Sequence, residues 1–284
     1  MRLNISAWFA PVQSMCPICG RGSARAGGGG SSAVPIKHPE PRQIIASLCG
    51  SCQQAIPWIA HAICRICGRA ERCEDCVRRQ VRHYSISRCA VRYDSLMKDW
   101  LALYKYRGHE GVEAVLAAML AFAYERLLEA ALPNSRTTPS FHAITAVPLA
   151  PERLQERGFN QAERLALRLS RWYGLNYSPM LQRLRHTEKQ SLKTRRSRVV
   201  DMRGNFSAAI PAIGPSADPT TVLPADSAAG PTAALFSRTA LSRIIIVDDI
   251  YTTGSTLDEC ARVLQQAVPT ALPPEVYGLL WARS

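Results

Sequence analysis

The sequence predicts an α/β fold, a parallel sheet flanked by helices, preceded by a small cysteine-rich module. Three observations carry this. Strand-like and helix-like apolar patterns alternate over the last two thirds of the chain, as crossover-connected parallel strands require. The run Ile-Ile-Ile-Val at 244–247 is β-branched without interruption, the mark of a strand buried on both faces. Eight of the ten cysteines fall before residue 80, in four pairs of identical spacing.

The bounds agree with that architecture. The chain has 284 residues, 47% of them hydrophobic, enough for one good-sized domain and a smaller one. No apolar run approaches the roughly 20 residues of a membrane span. The start, "MRLNISAWFAPVQSM", has neither an apolar h-region nor a small-residue cleavage site, so export is not expected. A reducing, cytoplasmic setting favours metal ligation over disulfides. The net charge of +13 points to a polyanion: nucleic acid, a phosphorylated small molecule or an anionic membrane surface. It also fits an Arg-rich background that serves solubility alone.

The N-terminal module is expected over 1–92. Its pairs are Cys16 and Cys19, Cys49 and Cys52, Cys64 and Cys67, and Cys73 and Cys76. A two-residue spacer bends the chain so that both sulfurs reach one tetrahedral ion. Gly20 and Gly68 follow second cysteines, where a knuckle takes a positive φ. Pairing by sequence order gives two structural Zn²⁺ sites, about two ions per chain. One uses Cys16, Cys19, Cys49 and Cys52; the other uses Cys64, Cys67, Cys73 and Cys76. The first must close over residues 23–41, a Gly-, Ser- and Pro-rich stretch that reads as a flexible insertion. Structural disulfides are the competing reading, opposed by compartment and spacing. The module carries 13 Arg or Lys against 4 acidic residues, densest in "CVRRQVRH" at 76–83. It suits tracking of nucleic-acid phosphates, with Trp58, Tyr84 and Tyr104 available to stack on bases.

The second domain is expected over 93–284. Leu96, Trp100, Leu103 and Tyr104 recur at helical spacing over 95–106. A second helix, rich in Ala and Leu, covers 112–131, and a short buried strand lies within 142–150. The next helix has Asn160 as N-cap, Glu163 at the capping-box position and Gly174 as its stop. Residues 185–206, rich in Arg and Lys, read as a mobile loop, and 211–240 as a disordered insertion. A strand over 243–248, a helix over 255–266 and a last strand over 275–282 complete the chain.

The chemistry centres on "VDDIYTTGST" at 247–256. Asp248 and Asp249 end the buried strand, and ligands bind at the carboxyl ends of such strands. Thr252, Thr253, Gly254, Ser255 and Thr256 form a turn into a helix, whose N–H groups make an anion nest. Acids beside a phosphate nest suit a ribose 5-phosphate: the carboxylates accept from the sugar hydroxyls and the nest takes the phosphate. A metal pair is the poorer reading, because neighbouring strand residues point to opposite faces.

This stretch resembles the phosphoribosyl pyrophosphate (PRPP) signature of type I phosphoribosyltransferases. With the four cysteine pairs, "LYKYRGHEG" (103–111), "VPLAPERLQERGFNQAERLA" (147–166) and "RHTEKQSLKTRRSRVVDMRGNF" (185–206), the whole order of motifs resembles the ComF/GntX family. The resemblance covers nearly the whole chain apart from the insertions. It implies a double zinc ribbon joined to a type I phosphoribosyltransferase-like domain, and a cytoplasmic role in natural transformation, DNA uptake or the use of external DNA. Single-stranded DNA and other DNA-uptake proteins are the implied partners, and PRPP would arrive with Mg²⁺. By the same resemblance Pro148, Leu149, Arg153 and Arg157 hold pyrophosphate. Thr187, Gln190 and Arg198 lie in the loop that closes over PRPP. Asp201 departs from the family, which has Asn there, and no acceptor-base pocket is recognisable. Two readings therefore stay open: a binder of PRPP or a related ribose phosphate, or an active transferase with an unidentified nucleobase or amine acceptor. No catalytic residue is assigned. A zinc-ribbon adaptor with a vestigial pocket is disfavoured by the intact acids and Thr-Thr-Gly.

Overall fold

Ile244, Ile245, Ile246 and Val247 are completely buried, and the domain is built around them. The computed structural model describes residues 15–22, 34–107, 110–131, 141–184, 203–209, 242–268 and 272–284. The expected insertion 211–240 and the loop residues Thr187, Gln190 and Arg198 lie outside that set. Four strands, β1 (Ser87–Arg92), β2 (Ala143–Ala146), β5 (Arg243–Tyr251) and β6 (Glu275–Arg283), form one sheet of order β1-β6-β5-β2. Every neighbouring pair is parallel. Between β2 and β5 the chain adds a small antiparallel ribbon, β3 (Leu181–Arg183) with β4 (Phe206–Ala208).

Alternation along β5 and β6 divides the core. Ile245, Val247, Leu279 and Trp281 face one cluster with helix α5 (Glu110–Ala131) and helix α7 (Gln161–Tyr173). Ile244, Ile246, Val276 and Leu280 face another, with helix α8 (Ser255–Ala267), Phe206 of β4, and Cys67, Cys73 and Cys76. Helix α5 is apolar around most of its circumference and lies buried from Val112 to Tyr124 nearly without a break, as a helix packed on several sides must be. Helix α4 (Ser95–Arg107) and the short α6 (Pro151–Arg157) flank the carboxyl end of the sheet.

The helices follow their sequence signals closely. Asn160 caps α7 by accepting from the Ala162 N–H at 3.1 Å, and Gly174 ends it at φ +64°. The expected capping box is not used: Glu163 instead accepts from the Tyr177 hydroxyl at 2.9 Å. Arg168 Nε donates to the buried Glu113 carboxylate at 2.6 Å and ties α7 to α5.

The N-terminal residues differ more from expectation. Helix α1 (Pro39–Ala46) starts inside the stretch 23–41 that composition marked as flexible. Its approach is fixed by Glu125, a buried carboxylate of α5 that accepts from the Lys37 and His38 backbone N–H groups at 2.8–3.0 Å. Pro39 sits at N1, where its missing N–H costs nothing. Ile36 and Pro41 are buried. Two further helical turns, α2 (Gly50–Gln54) and α3 (Glu74–Arg78), follow second-pair and fourth-pair cysteines. Strand β1 also falls within 1–92, yet it is an edge of the main sheet. Trp58 is half-buried and stacks edge-on against Phe122, packing on the core, while Tyr84 at 3% exposed and Tyr104, fully buried, belong to it.

Candidate functional site

The cysteines assemble by sequence order. Cys16, Cys19, Cys49 and Cys52 form one group, and Cys64, Cys67, Cys73 and Cys76 another, each with its sulfurs within 4.8 Å of one another. Two knuckles have the expected backbone: Gly20 N–H donates to Cys16 O and Gly68 N–H to Cys64 O, with φ of +71° and +70°. At Gly68 a Cβ would lie 2.9 Å from Ser87 O, so glycine is required there twice over. No disulfide joins any of the ten cysteines.

Electrostatics shows what each group needs. Burial opposes ionisation of Cys16, but the backbone N–H groups of Cys49, Cys19 and Ile18 outweigh it and lower its thiol to about 7. Cys52 and Cys76 are pushed up by burial and by their neighbouring sulfurs. Four crowded thiols cannot all ionise unaided, whereas a dication among them lets all four do so. The four-sulfur donor sets therefore fit a tetrahedral ion.

The acid pair stands at the carboxyl edge of the sheet. Strand β5 runs on to Tyr251, so Asp248 and Asp249 lie inside it rather than ending it. Strand β2 stops opposite Val247, and from Asp248 onward only β6 pairs with β5. The two carboxylates share one uncovered edge but alternate between faces. Asp249 pairs with Lys105 of α4 and feels the charge of Arg157. Burial alone would raise its carboxyl; the Lys105 ammonium outweighs that and lowers it. Asp248 accepts from the Asp249 N–H at 2.9 Å. Burial, then the charge of Asp249, pushes it up to about 8. Arg183 of β3 lies in the field of both Asp248 and Arg153.

The other expected residues surround this pair. Pro148 and Leu149 follow β2 after Val147 and are half-buried. Asn160 Nδ2 donates to Val147 O at 3.1 Å and ties that turn to the start of α7. On α6 only Arg153 and Arg157 are half-buried while 152 and 154–156 are exposed, so the i and i+4 guanidiniums share one face. Arg157 Nη1 donates to Gln161 Oε1 at 2.8 Å.

After Tyr251 the chain turns through Thr252, Thr253 and Gly254 into α8. Gly254 has φ +76° and offers α8 no side-chain cap. A Cβ there would meet the Tyr251 hydroxyl at 2.3 Å. The Thr253 and Ser255 hydroxyls lie 2.9 Å apart. Thr253 and Gly254 are buried, while Thr252, Ser255 and Thr256 are half-buried.

Lys105 and Arg183 were not singled out from sequence. Lys105 sits within the quoted "LYKYRGHEG", but nothing in that motif shows that its ammonium reaches β5. Arg183 precedes the Arg-rich loop and is indistinguishable there from its neighbours.

The fold and site define a parallel α/β protein with an acidic pair beside a glycine turn, preceded by two four-cysteine centres. No family model matches the chain. Curated relatives do. The chain is 28% identical to competence protein ComFC of Bacillus subtilis over 76% of its own length and 77% of that protein. It is 25% identical to competence protein F of Haemophilus influenzae over 77% and 84%. With DNA utilization protein YhgH of Escherichia coli O157:H7 it shares 26% identity over 78% and 91%. Together these matches support the resemblance to the ComF family.

Proposed function

We propose that this chain supports DNA uptake and utilization in the cytoplasm, binding PRPP or a related ribose phosphate with Mg²⁺, and also single-stranded DNA. The names of the relatives support the DNA-related role. Among the described residues no helix is long and apolar enough to cross a membrane. The ligand reading rests chiefly on one observation: Asp248 and Asp249 lie on an uncovered edge of a parallel sheet, directly before a glycine turn that opens α8.

In this reading the acids accept hydrogen bonds from the ribose hydroxyls. The N–H groups and hydroxyls of Thr252, Thr253, Gly254, Ser255 and Thr256 hold the 5-phosphate. Arg153 and Arg157, beside Pro148 and Leu149, grip the diphosphate. The two cysteine groups each take a structural Zn²⁺, and exposed arginines of the second group track DNA phosphates.

Calorimetry with PRPP and Mg²⁺ tests the ligand. Replacing Asp248 and Asp249 together with Asn removes two charge-assisted hydrogen bonds, roughly 1.5–3 kcal/mol each, so binding should weaken at least ~100-fold. Binding unchanged in a variant with the parent's melting curve would falsify the ribose-phosphate reading. The second reading, an active phosphoribosyltransferase, is favoured by the cations Lys105, Arg153, Arg157 and Arg183 around the acids. They suit a departing pyrophosphate. Pyrophosphate release across nucleobase and amine acceptors separates turnover from binding.

A further inference from the structure

Arg283, near the end of β6, is 4% exposed and sits where the second four-cysteine centre meets the turn after β5. Its Nη2 lies 3.9 Å from Cys73 Sγ. Its Nη1 donates to Thr252 O at 2.9 Å and to Tyr251 O at 3.2 Å. The guanidinium also lies over the Tyr251 ring, 4.6 Å from its centroid. The cysteine module supplies more fixings. Arg79 Nη2 donates to Thr253 O at 2.8 Å. The Tyr84 and Tyr251 hydroxyls are 2.7 Å apart, and the His83 N–H donates to Asp258 Oδ1 at 2.9 Å.

Three successive carbonyls, of residues 251, 252 and 253, are thus turned toward guanidiniums on the cysteine-module side. A trans peptide is planar, and its N–H points opposite to its C=O. Among the described residues no peptide is cis. Holding the carbonyls of Thr252 and Thr253 inward therefore directs the N–H groups of Thr253 and Gly254 outward, the orientation an anion nest needs. Arg283 is a fork that spans the Cys73 sulfur and the carbonyls of Tyr251, Thr252 and Ser284; a four-thiolate centre around one divalent ion carries two net negative charges to anchor it.

We infer that the second cysteine centre, through Arg283 and Arg79, positions the turn 252–254, so that the N–H groups of this turn are set for an anion only while that centre is intact. This rests on the reading of the turn as a phosphate site. Arg283 is a positioning residue and touches no ligand. The first centre, Cys16 with Cys19, Cys49 and Cys52, takes no part: Cys16 belongs to the α5 cluster on the other side of the sheet, and Cys49 and Cys52 pack against it. Because coupling is reciprocal, an anion held by the turn also tightens the second centre.

The test is amide exchange on the full zinc-loaded chain, read by mass spectrometry, with Arg283→Gln, Arg283→Lys and Cys19→Ser. In Arg283→Gln, exchange at 252–256 should rise about tenfold while that within α5 and the zinc content stay at the parent's values. Lys keeps the charge but not the fork, so Arg283→Lys should recover part of the protection. Cys19→Ser should leave 252–256 unchanged. In the parent, PRPP should slow chelator extraction of one of the two zinc ions, and in Arg283→Gln it should not. Parent-like exchange at 252–256 in Arg283→Gln, or equal loosening in Cys19→Ser, overturns the coupling. Failure of the parent to bind PRPP sinks the ligand reading instead, and the exchange data still decide the coupling.

Discussion

Lys105 of α4 pairs with Asp249 of β5, whereas Asp248, one residue earlier, acts through its charge on Arg183 of β3. Adjacent acids are thereby given different protonation states. Asp249 is held ionised by the ammonium; burial, and then the charge of Asp249, raises Asp248 to about 8.

A pH dependence follows. A carboxylate accepts from ribose hydroxyls better than a carboxylic acid does, so binding of PRPP with Mg²⁺ should strengthen as pH rises through about 8 and release a proton. Calorimetry in buffers of different ionisation heat reads that proton. Lys105→Met removes a charge that lowers Asp248, so it should move the midpoint upward. Stability runs the other way. The folded form holds its Asp248 proton above the unfolded pKa of about 3.9, so this group's contribution declines as pH rises from about 4 to 8. A binding curve flat across that window would show that Asp248 does not meet the ligand as a carboxylate.

Gly254→Ala should damage the turn and the ligand site together. The left-handed backbone costs an alanine about 1–2 kcal/mol, and its Cβ would displace the Tyr251 hydroxyl from 2.3 Å. That hydroxyl is bonded to Tyr84, so the shift reaches the cysteine module. The melting temperature should fall by at least ~2–4 °C. A variant that melts and binds PRPP like the parent would mean the turn tolerates rearrangement.

The sheet and the acid-turn motif were legible because their signals are local. The β-branched run, the Asn160 cap and the Gly174 stop each act within a few residues. What stayed hidden depends on distant partners. Residues 34–41 look like a linker by composition, and only the Glu125 carboxylate, 88 positions from Lys37 in sequence, makes them a defined structure. Strand β1 was obscured because Ser87 and Arg88 are polar, though both are buried in the fold. Lys105, Arg183, Arg79 and Arg283 gain their roles from tertiary placement, and an Arg-rich chain gives no local sign of which cations are committed. The aromatics near basic stretches misled for the same reason: proximity in sequence did not predict that Tyr84 and Tyr104 face inward.

Salt should govern DNA binding. Arg65, Arg72 and Arg78 are exposed on the second cysteine group, beside the exposed Ile63, Val77 and Val81. Among the described residues Arg78 pairs with Glu74 at the surface, a pair too weak to withhold it. Single-stranded DNA affinity should fall steeply with salt and differ little between sequences. Replacing the three arginines with Gln should flatten the log–log slope by roughly 0.7 per lost phosphate contact. A slope unchanged in the triple variant would move the DNA surface elsewhere.

The two cysteine centres should not be equivalent. Metal analysis should find about two zinc ions per chain. The first centre joins residues 16–19 to α2, and Cys16, Cys49 and Cys52 pack in the cluster that holds α1 and α5. The second has Cys67, Cys73 and Cys76 in the same cluster as Ile246, Leu257 and Leu280, with Arg283 bridging it to β5. A separate module over 1–92, as the sequence leads one to expect, would confine the effect of metal loss to itself. The geometry changes that expectation, because the second centre is continuous with the sheet. Cys52→Ser should lose one zinc and melt close to the parent. Cys76→Ser should lose one zinc and lower the cooperative transition of the whole domain, since the ion's binding energy is folding energy for the residues packed around it. Calorimetric scans with zinc determination on both variants decide this, and equal melting temperatures for the two would show that the second centre is no more tied to the sheet than the first.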